Sequence, residues 1–452
     1  MLIIQDALPD IKTFLKPLSL SQDARGLLIR YLVAFLMHFG KMSASHAAGA
    51  IRTEPRHRAQ VSRFLGRGYL RRIDLIGPLR ADLLALERRR GLFVFAVDQT
   101  FCGQQGRKTK NTFSRANFRT RPKKSNRKQK KYARRSCHCF VMGLLITPGG
   151  IRVPFSRSYY TKEYCKEKGR TFRTQTELAA ALIRDLPLPE GTPVVVLGDT
   201  AFDAESIRQA CAQRHYSWIV PVNPQRVLAG EKPRPKVSSL AESLQADQMV
   251  RLEVHPARGK YVAYRRIARC RLGPKLKARA YYVHQESRDV HSVGKVRLVF
   301  STTKAPVKDQ RVDVQKILMT NDPKLSLQDV IELYQLRWQI ELFFKELKST
   351  LGFHHYRFKE FERVEAWCLL VLTTFIYLEW LRARKLKKKS LAKKERTWWQ
   401  SQRTYGLTRA VRQSAEQKEL EQLSKALETP TGRKRLQKQF EEAHPKEYRA
   451  VI

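Results

Sequence analysis

Two short, wholly apolar runs, each closed by an aspartate, limit what this chain can fold into more than any other feature. The first is Leu92-Phe93-Val94-Phe95-Ala96-Val97, followed by Asp98; the second is Pro193-Val194-Val195-Val196-Leu197-Gly198, followed by Asp199. A continuous apolar run of this length has no polar face, so it predicts a strand covered on both sides. Between the runs, Cys139–Thr147 and Ile151–Tyr159 flank Pro148-Gly149-Gly150, which predicts a hairpin. Glu177–Leu186 and Ala204–Arg214 carry helical patterns on either side of the second run, and Trp218–Val222 reads as a further strand.

The resulting order is strand, hairpin, helix, strand, helix, strand. That order is ribonuclease-H-like: an α/β fold with a mixed sheet flanked by helices and an acid at the ends of its first and fourth strands. After residue 222 the order is interrupted by a Tyr- and Val-rich stretch. Val250–Val254, Tyr261–Arg271, Ala280–His284 and Val296–Ser301 predict an inserted antiparallel sheet, closed by Lys316–Thr320.

A third acid is expected from the helix that follows. Ser326 and Asp329 make a capping-box start, no Gly or Pro interrupts the sequence beyond them, and Gly352 supplies a stop, so Ser326–Gly352 predicts one long helix. At about 100° per residue, Arg337, Glu341 and Lys348 fall within about 60° of Tyr334, with Lys345 and Trp338 beside them. Leu333, Leu336, Ile340, Phe344, Leu347 and Leu351 form a separate apolar stripe, and Glu332, Gln335, Gln339 and Glu346 take the remaining side. From this helix alone, an amphipathic surface helix with structural i, i+4 pairs such as Arg337–Glu341 explains the pattern equally well.

The two strand-end acids tip the balance. Phosphodiester cleavage needs a potent nucleophile and a stabilised leaving oxygen, which two divalent ions about 3.5–4 Å apart supply together. Carboxylates on separate rigid elements suit Mg²⁺, with Mn²⁺ able to substitute, and Asp98, Asp199 and Glu341 meet that requirement. The competing acids are poorer: Asp203 and Glu205 sit near a helix start, where capping is the default, and Asp185 and Asp322 read as helix-end and loop residues. Arg337, Lys345 and Lys348 around Glu341 would bind phosphates, and Tyr334 would donate to a phosphate or stack on a base. Trp338 is read first as packing and second as a DNA contact.

The charge balance names the partner. With 88 Lys and Arg against 41 Asp and Glu, the net charge is +47, which calls for a polyanion, double-stranded DNA first. At 452 residues the chain exceeds one ordinary core, so several domains are expected. From Arg107 to Arg135 the sequence has fourteen basic residues and no acid, and predicts a mobile basic loop. Within it Lys123, Lys124, Arg127, Lys128, Lys130 and Lys131 are the candidate phosphate contacts. Near the N-terminus, helical Ser21–Leu65 contains short helices around His46–Ile51 and from Thr53 to Gly66. This helix-turn-helix order offers Arg56, Arg58, Gln60 and Arg63 to a groove. Seven scattered cysteines suit a reducing cytosol, and Cys137-His138-Cys139 lacks a second ligand pair at finger spacing. No secretory leader is evident, and Ala366–Leu378 is too short to span a bilayer, so a buried helix and no membrane partner are expected.

Tyr334, two residues, Arg337, three residues, Glu341, six residues, Lys348 resembles the Tyr-Arg-Glu-Lys signature of DDE insertion-sequence transposases. Val97-Asp98-Gln99-Thr100 and Gly198-Asp199-Thr200-Ala201-Phe202 are similar to the acid contexts of that group, and the likeness extends from about Gly91 to Arg357. The resemblance implies cut-and-paste transposition with Asp98, Asp199 and Glu341 as metal ligands, and Tyr334, Arg337 and Lys348 on the transposon-end phosphates. It also implies a homodimer in the active complex and a place in the bacterial cytoplasm, on the nucleoid. The expected layout is a helical DNA-binding domain at 1–88, a catalytic core at 89–222 and 319–384 split by a β-rich insertion at 223–318, and a basic helical region at 385–452. A DNA-binding descendant that no longer cuts, and a nuclease without strand transfer, are the rival readings.

Overall fold

The computed structural model describes residues 9–37, 63–66, 70, 74–104, 109–116, 134–223, 225–230, 232–256, 258–265, 277–388 and 390–443. Its elements in chain order are α1 (Pro9–Phe14), α2 (Gln22–Met37), α3 (Gly77–Leu84), β1 (Phe93–Gly103), β2 (Phe113–Ala116), β3 (Arg134–Ile146), β4 (Arg152–Ser158), α4 (Lys162–Glu167), α5 (Gln175–Arg184), β5 (Val194–Leu197), α6 (Glu205–Gln213), β6 (Ser217–Pro221) and α7 (Val237–Ser243). There follow β7 (Val250–Val254), β8 (Arg279–Val290), β9 (Gly294–Thr302), β10 (Lys316–Thr320), α8 (Leu327–Leu336), α9 (Trp338–Ser349), α10 (Phe361–Lys387), α11 (Lys393–Ser401), α12 (Thr404–Glu428) and α13 (Pro430–Ala443). They divide into two compact units, one made of 83–345 with 386–401, the other of 1–82, 346–385 and 402–452.

The first unit is built on a ten-stranded mixed sheet flanked by helices, in the order β2-β3-β1-β5-β6-β10-β9-β8-β7, with β4 also on β3. The two apolar runs form its centre: β1 and β5 pair in parallel, as do β5 and β6, and the other pairs are antiparallel. Val94–Val97 and Val194–Leu197 are each at most 2% exposed. Burying such side chains stabilises a fold by roughly 1.5–3 kcal/mol apiece before entropy is counted. Gly143 of β3 is required there, because a Cβ would stand 2.1 Å from Cζ of Phe95, whose ring packs edge-on to Phe155. Helix α5 starts with a Thr174–Glu177 capping box and packs on α6, β3 and β4.

Four differences from the expected organisation matter for the site. First, β1 does not stop at Asp98 but runs on to Gly103, because β3 pairs with it along its whole length as far as Cys137. Second, the basic stretch is not all loop: residues 113–116 form β2, and Arg134 and Arg135 open β3, while 117–133 lie outside the described residues. Third, the strands after residue 222 are not a separate sheet. β10 pairs antiparallel with β6, so β7–β10 extend the central sheet, and residues 262–265 are a helical turn where a strand was expected.

Fourth, the long helix is interrupted. The expected capping box is present at Ser326 and Asp329, and Gly352 follows α9 with φ of 70°. At Arg337, however, the N–H bonds to the Tyr334 carbonyl and the Arg337 carbonyl accepts from Ile340 N–H, both at 3.1 Å. These i to i−3 bonds tighten one turn and separate α8 from α9. Glu332, Gln339 and Glu346, expected on the open side, are instead 0%, 5% and 6% exposed, and Phe343 is fully buried. Two of these buried acids have partners distant in sequence: Glu332 accepts from Lys260 N–H at 3.0 Å, and Glu346 from the Thr404 hydroxyl at 2.7 Å.

The second unit is helical. Phe14 of α1 packs edge-on against Tyr377 and Trp380 of α10, and Phe35 of α2 lies 5.1 Å from Trp367. The Trp380 indole donates to Asp82 at 2.6 Å, and Arg412 of α12 donates to the Leu36 carbonyl at 2.6 Å. The N-terminal helices therefore share a core with α10 and α12. Helix α10 is long and apolar enough to cross a bilayer by length and composition, yet 89% of its most apolar window is buried inside the protein. Of the N-terminal candidates, Arg56, Arg58 and Gln60 lie outside the described residues, and Arg63 is exposed in a helical segment at 63–66.

Candidate active site

The strand register brings the first two acids together. Phe93–Ala96 of β1 lie beside Val194–Leu197 of β5, so Asp98 and Asp199 are each two residues past the last pair, on neighbouring strands. Asp98 accepts from its neighbour's backbone, Gln99 N–H to Oδ1, at 2.7 Å. Asp199 is the N-cap of a 3-10 turn, Thr200–Phe202, accepting from Ala201 N–H at 2.9 Å. Gly198 makes that turn possible: a Cβ there would stand 2.9 Å from Cβ of Phe202, which is tucked into the core.

The third element brings a cation as well as an acid. Arg337, at the tightened turn between α8 and α9, places Nη2 2.6 Å from Glu341 Oε1 and Nη1 3.8 Å from Asp98 Oδ2. The i, i+4 pair expected between Arg337 and Glu341 is thus present, and the same guanidinium reaches across to β1. Its carbon lies 5.9 Å from the centre of the Tyr334 ring, and Lys316 Nζ lies 4.8 Å from that centre. Lys316 was not found from the sequence, where it read only as the start of a closing strand. Its signal is topological: β10 reaches the site because it pairs with β6.

These surroundings shift the acids and cations in physically consistent directions. Burial, and then the neighbouring charge of Asp199, push the Asp98 carboxyl from its ordinary 3.8 up to about 7, against the pull of Gln99 N–H and Arg337. Burial pushes the Tyr334 hydroxyl up to about 12, with Arg337 opposing and Asp199 adding to the rise. Burial lowers the Lys316 ammonium, and the like charge of Arg337 lowers it further. For Arg337, burial works against the charge, but Tyr334, Glu341 and Asp98 outweigh it and raise the value.

The other expected contacts are spread more widely. Trp338 is 41% exposed, so it is not core packing, and Lys345 is exposed with Lys348 half-buried further along α9. Lys123, Lys124, Arg127, Lys128, Lys130 and Lys131 lie outside the described residues. Cys137, His138 and Cys139 are buried in β3, with His138 Nε2 2.9 Å from the Lys110 carbonyl.

Among the described residues, no group of three or more His, Cys, Asp or Glu stands at metal-holding distance. Asp98 and Asp199 stand at neighbouring strand ends, and burial first, then the charge of Asp199, raise the Asp98 carboxyl. A hard divalent cation fits this all-carboxylate donor set. Asp98 and Asp199 supply two such carboxylates, and the third, Glu341, is engaged by Arg337.

No curated protein matches this chain. Among solved structures, the cryo-EM structure of a piggyBac transposase synaptic complex with hairpin DNA is similar at 12% identity and a TM-score of 0.42, covering 99% of this chain and 84% of that one. A family model for the transposase DDE domain matches residues 94–377, from the second residue of β1 into α10, and that span contains Asp98, Asp199, Arg337 and Glu341. The chain belongs to the transposase DDE domain family.

Proposed function

We propose that this protein cuts DNA at the ends of its own mobile element and joins the freed 3′ ends to a target, using Asp98, Asp199 and Glu341 in a ribonuclease-H-like core. The observation that carries the reading is the adjacency of Asp98 and Asp199 across the β1–β5 pair, with Glu341 linked to Asp98 through one guanidinium. Divalent-metal dependence is general among DDE transposases, and Mg²⁺, with Mn²⁺ as substitute, is the ion this donor set suits. When bound, it supplies an activated nucleophile and a stabilised leaving oxygen.

The chain's own residues do the rest. Arg337 and Lys316, both close to the Tyr334 ring, bind the phosphates flanking the scissile bond, and Lys345 and Lys348 add cations along α9. A phosphate that draws Arg337 away frees Glu341 to join the two aspartates. Trp338, exposed beside them, stacks on a base. In the first step water attacks the phosphorus and the 3′ oxygen leaves as a hydroxyl. In the second, that hydroxyl loses its proton and attacks a target phosphorus, and the target's own 3′ oxygen leaves as a hydroxyl. Double-stranded DNA is the partner, a homodimer holds the two ends, and the protein works on the nucleoid in the bacterial cytoplasm.

The test is a strand-transfer assay with labelled duplex from the DNA flanking the coding region. With Mg²⁺ the parent should give joined product. Asp98→Ala, Asp199→Ala and Glu341→Ala should each lower cutting by on the order of 10²–10³-fold or more while still binding duplex. Cut but unjoined ends would favour a nuclease, and bound, intact duplex a protein that no longer cuts.

A further inference from the structure

Asp203, which the sequence offers only as a capping residue, is 2% exposed at its side chain and carries two ion pairs. Arg208 Nη1 of α6 lies 2.7 Å from Oδ1, and Arg226 Nε, from the segment that leads out of β6, lies 2.6 Å from Oδ2. The same two guanidinium groups reach the β8–β9 turn: Arg208 donates to the Ser292 carbonyl at 3.3 Å and Arg226 to the Ser292 hydroxyl at 3.2 Å. Ser292 is held at φ of 62°, a left-handed conformation a serine rarely adopts. Asp203 also closes the 3-10 turn that Asp199 opens, its N–H bonding to the Thr200 carbonyl. Beside the network is a polar cavity of about 300 Å³ lined in part by Thr200, Asn223 and His291.

We propose that Asp203 is a positioning residue that, through Arg208 and Arg226, ties the Asp199 turn to the β8–β9 turn and so fixes Asp199 in place. The inference rests on the reading of Asp199 as a metal ligand. Stability alone does not account for the network, because a buried carboxylate with two arginines is often no more stable than apolar packing of the same volume. What such a network does supply is a fixed geometry, here four residues from a candidate ligand. Partners that orient ligands in this way commonly change metal affinity by about 10–100-fold when removed.

The test measures Mn²⁺ binding to the full-length protein by electron paramagnetic resonance, beside affinity for the labelled flanking duplex and thermal melting. Asp203→Asn should weaken Mn²⁺ binding about tenfold or more and leave duplex affinity within about twofold. Ser292→Gly removes the hydroxyl while easing the backbone, so it should weaken Mn²⁺ binding severalfold with no loss of melting temperature. Asp203→Asn/Arg226→Gln removes the unbalanced cation, and should recover melting temperature but not Mn²⁺ affinity. Recovery of both would reduce Asp203 to a folding role and overturn the proposal, as would parent-like Mn²⁺ binding in Asp203→Asn. If Asp203→Asn does not fold, parent-like binding in Ser292→Gly decides against it. Asp199→Ala separates the two ideas. If it binds Mn²⁺ as the parent does, the ligand reading fails and takes this inference with it; if it loses Mn²⁺ while Asp203→Asn does not, only this inference falls.

Discussion

At the scale of single residues, the site is a balance of charges in which Asp98 bears the cost. Its carboxyl stands at about 7 in the fold against an ordinary 3.8, because burial and the charge of Asp199 outweigh Gln99 N–H and Arg337. An unfolded Asp98 ionises as pH rises past about 4, a folded one only near 7. Between those values the native state holds the extra proton, so this group's contribution to stability is greatest at low pH and falls as pH rises through the window. The total is on the order of a few kcal/mol. Asp98→Asn removes the titrating carboxyl and with it this pH dependence. In chelator, the variant should therefore gain stability relative to the parent as pH goes from about 4 to about 7, and keep a constant advantage above. Melting curves of both proteins across that range read the difference directly, and Mn²⁺ should erase the variant's advantage at pH 8. A parent-minus-variant difference that ignores pH would mean that Asp98 ionises freely.

At the scale of elements, α8 is the piece whose start most affects the site, because Tyr334 and Arg337 follow from it. In its capping box Asp329 accepts from Ser326 N–H at 3.1 Å, and it also takes the Lys260 ammonium at 3.1 Å and the Tyr261 hydroxyl at 2.9 Å. Burial alone would raise this carboxyl, but Lys260 and the Ser326 and Tyr261 donors hold it below its ordinary value. Asp329→Ala removes half of the capping box and leaves the half-buried Tyr261 hydroxyl without its acceptor, for a loss of roughly 1–2 kcal/mol measurable in urea melts. Asp329→Asn should lose less. The cap was legible in the sequence because a capping box is local: Ser326 and Asp329 are three residues apart. The two aspartate-ended runs were legible for the same reason, since six apolar residues without a polar face allow few alternatives. The interruption at Arg337 was not legible, because no Gly or Pro marks it; one guanidinium satisfying both Glu341 and Asp98 accompanies the tightened turn. Glu332 and Glu346 were placed in solvent because their partners, Lys260 and Thr404, lie 72 and 58 residues away. Asp203 and Lys316 went unread for a related reason: the β6–β10 pairing and the Ser292 turn that give them a role exist only in the fold.

At the scale of the whole molecule, the +47 charge outweighs every local feature in setting how the protein meets DNA. Each phosphate neutralised on B-form DNA steepens the fall of log affinity with log salt by about 0.9. The basic stretch from Arg107 to Arg135 divides into parts with different prospects. Arg115 is committed to the sheet, its guanidinium 3.5 Å over the Phe101 ring, and Lys110 pairs with Glu167 at 3.0 Å. Lys123, Lys124, Arg127, Lys128, Lys130 and Lys131 belong to the part between β2 and β3. If all six meet phosphates, their replacement by Gln should reduce the slope by about 5, and by about 2 if only a few do. Fluorescence titrations of one duplex over a range of salt give both the slope and the affinity at a fixed concentration. An unchanged slope with unchanged affinity would assign DNA binding to the rest of the basic surface, Arg337, Lys316 and the α9 lysines foremost. A reduced slope for one duplex but not for an unrelated one would instead make this stretch a reader of the element's own ends.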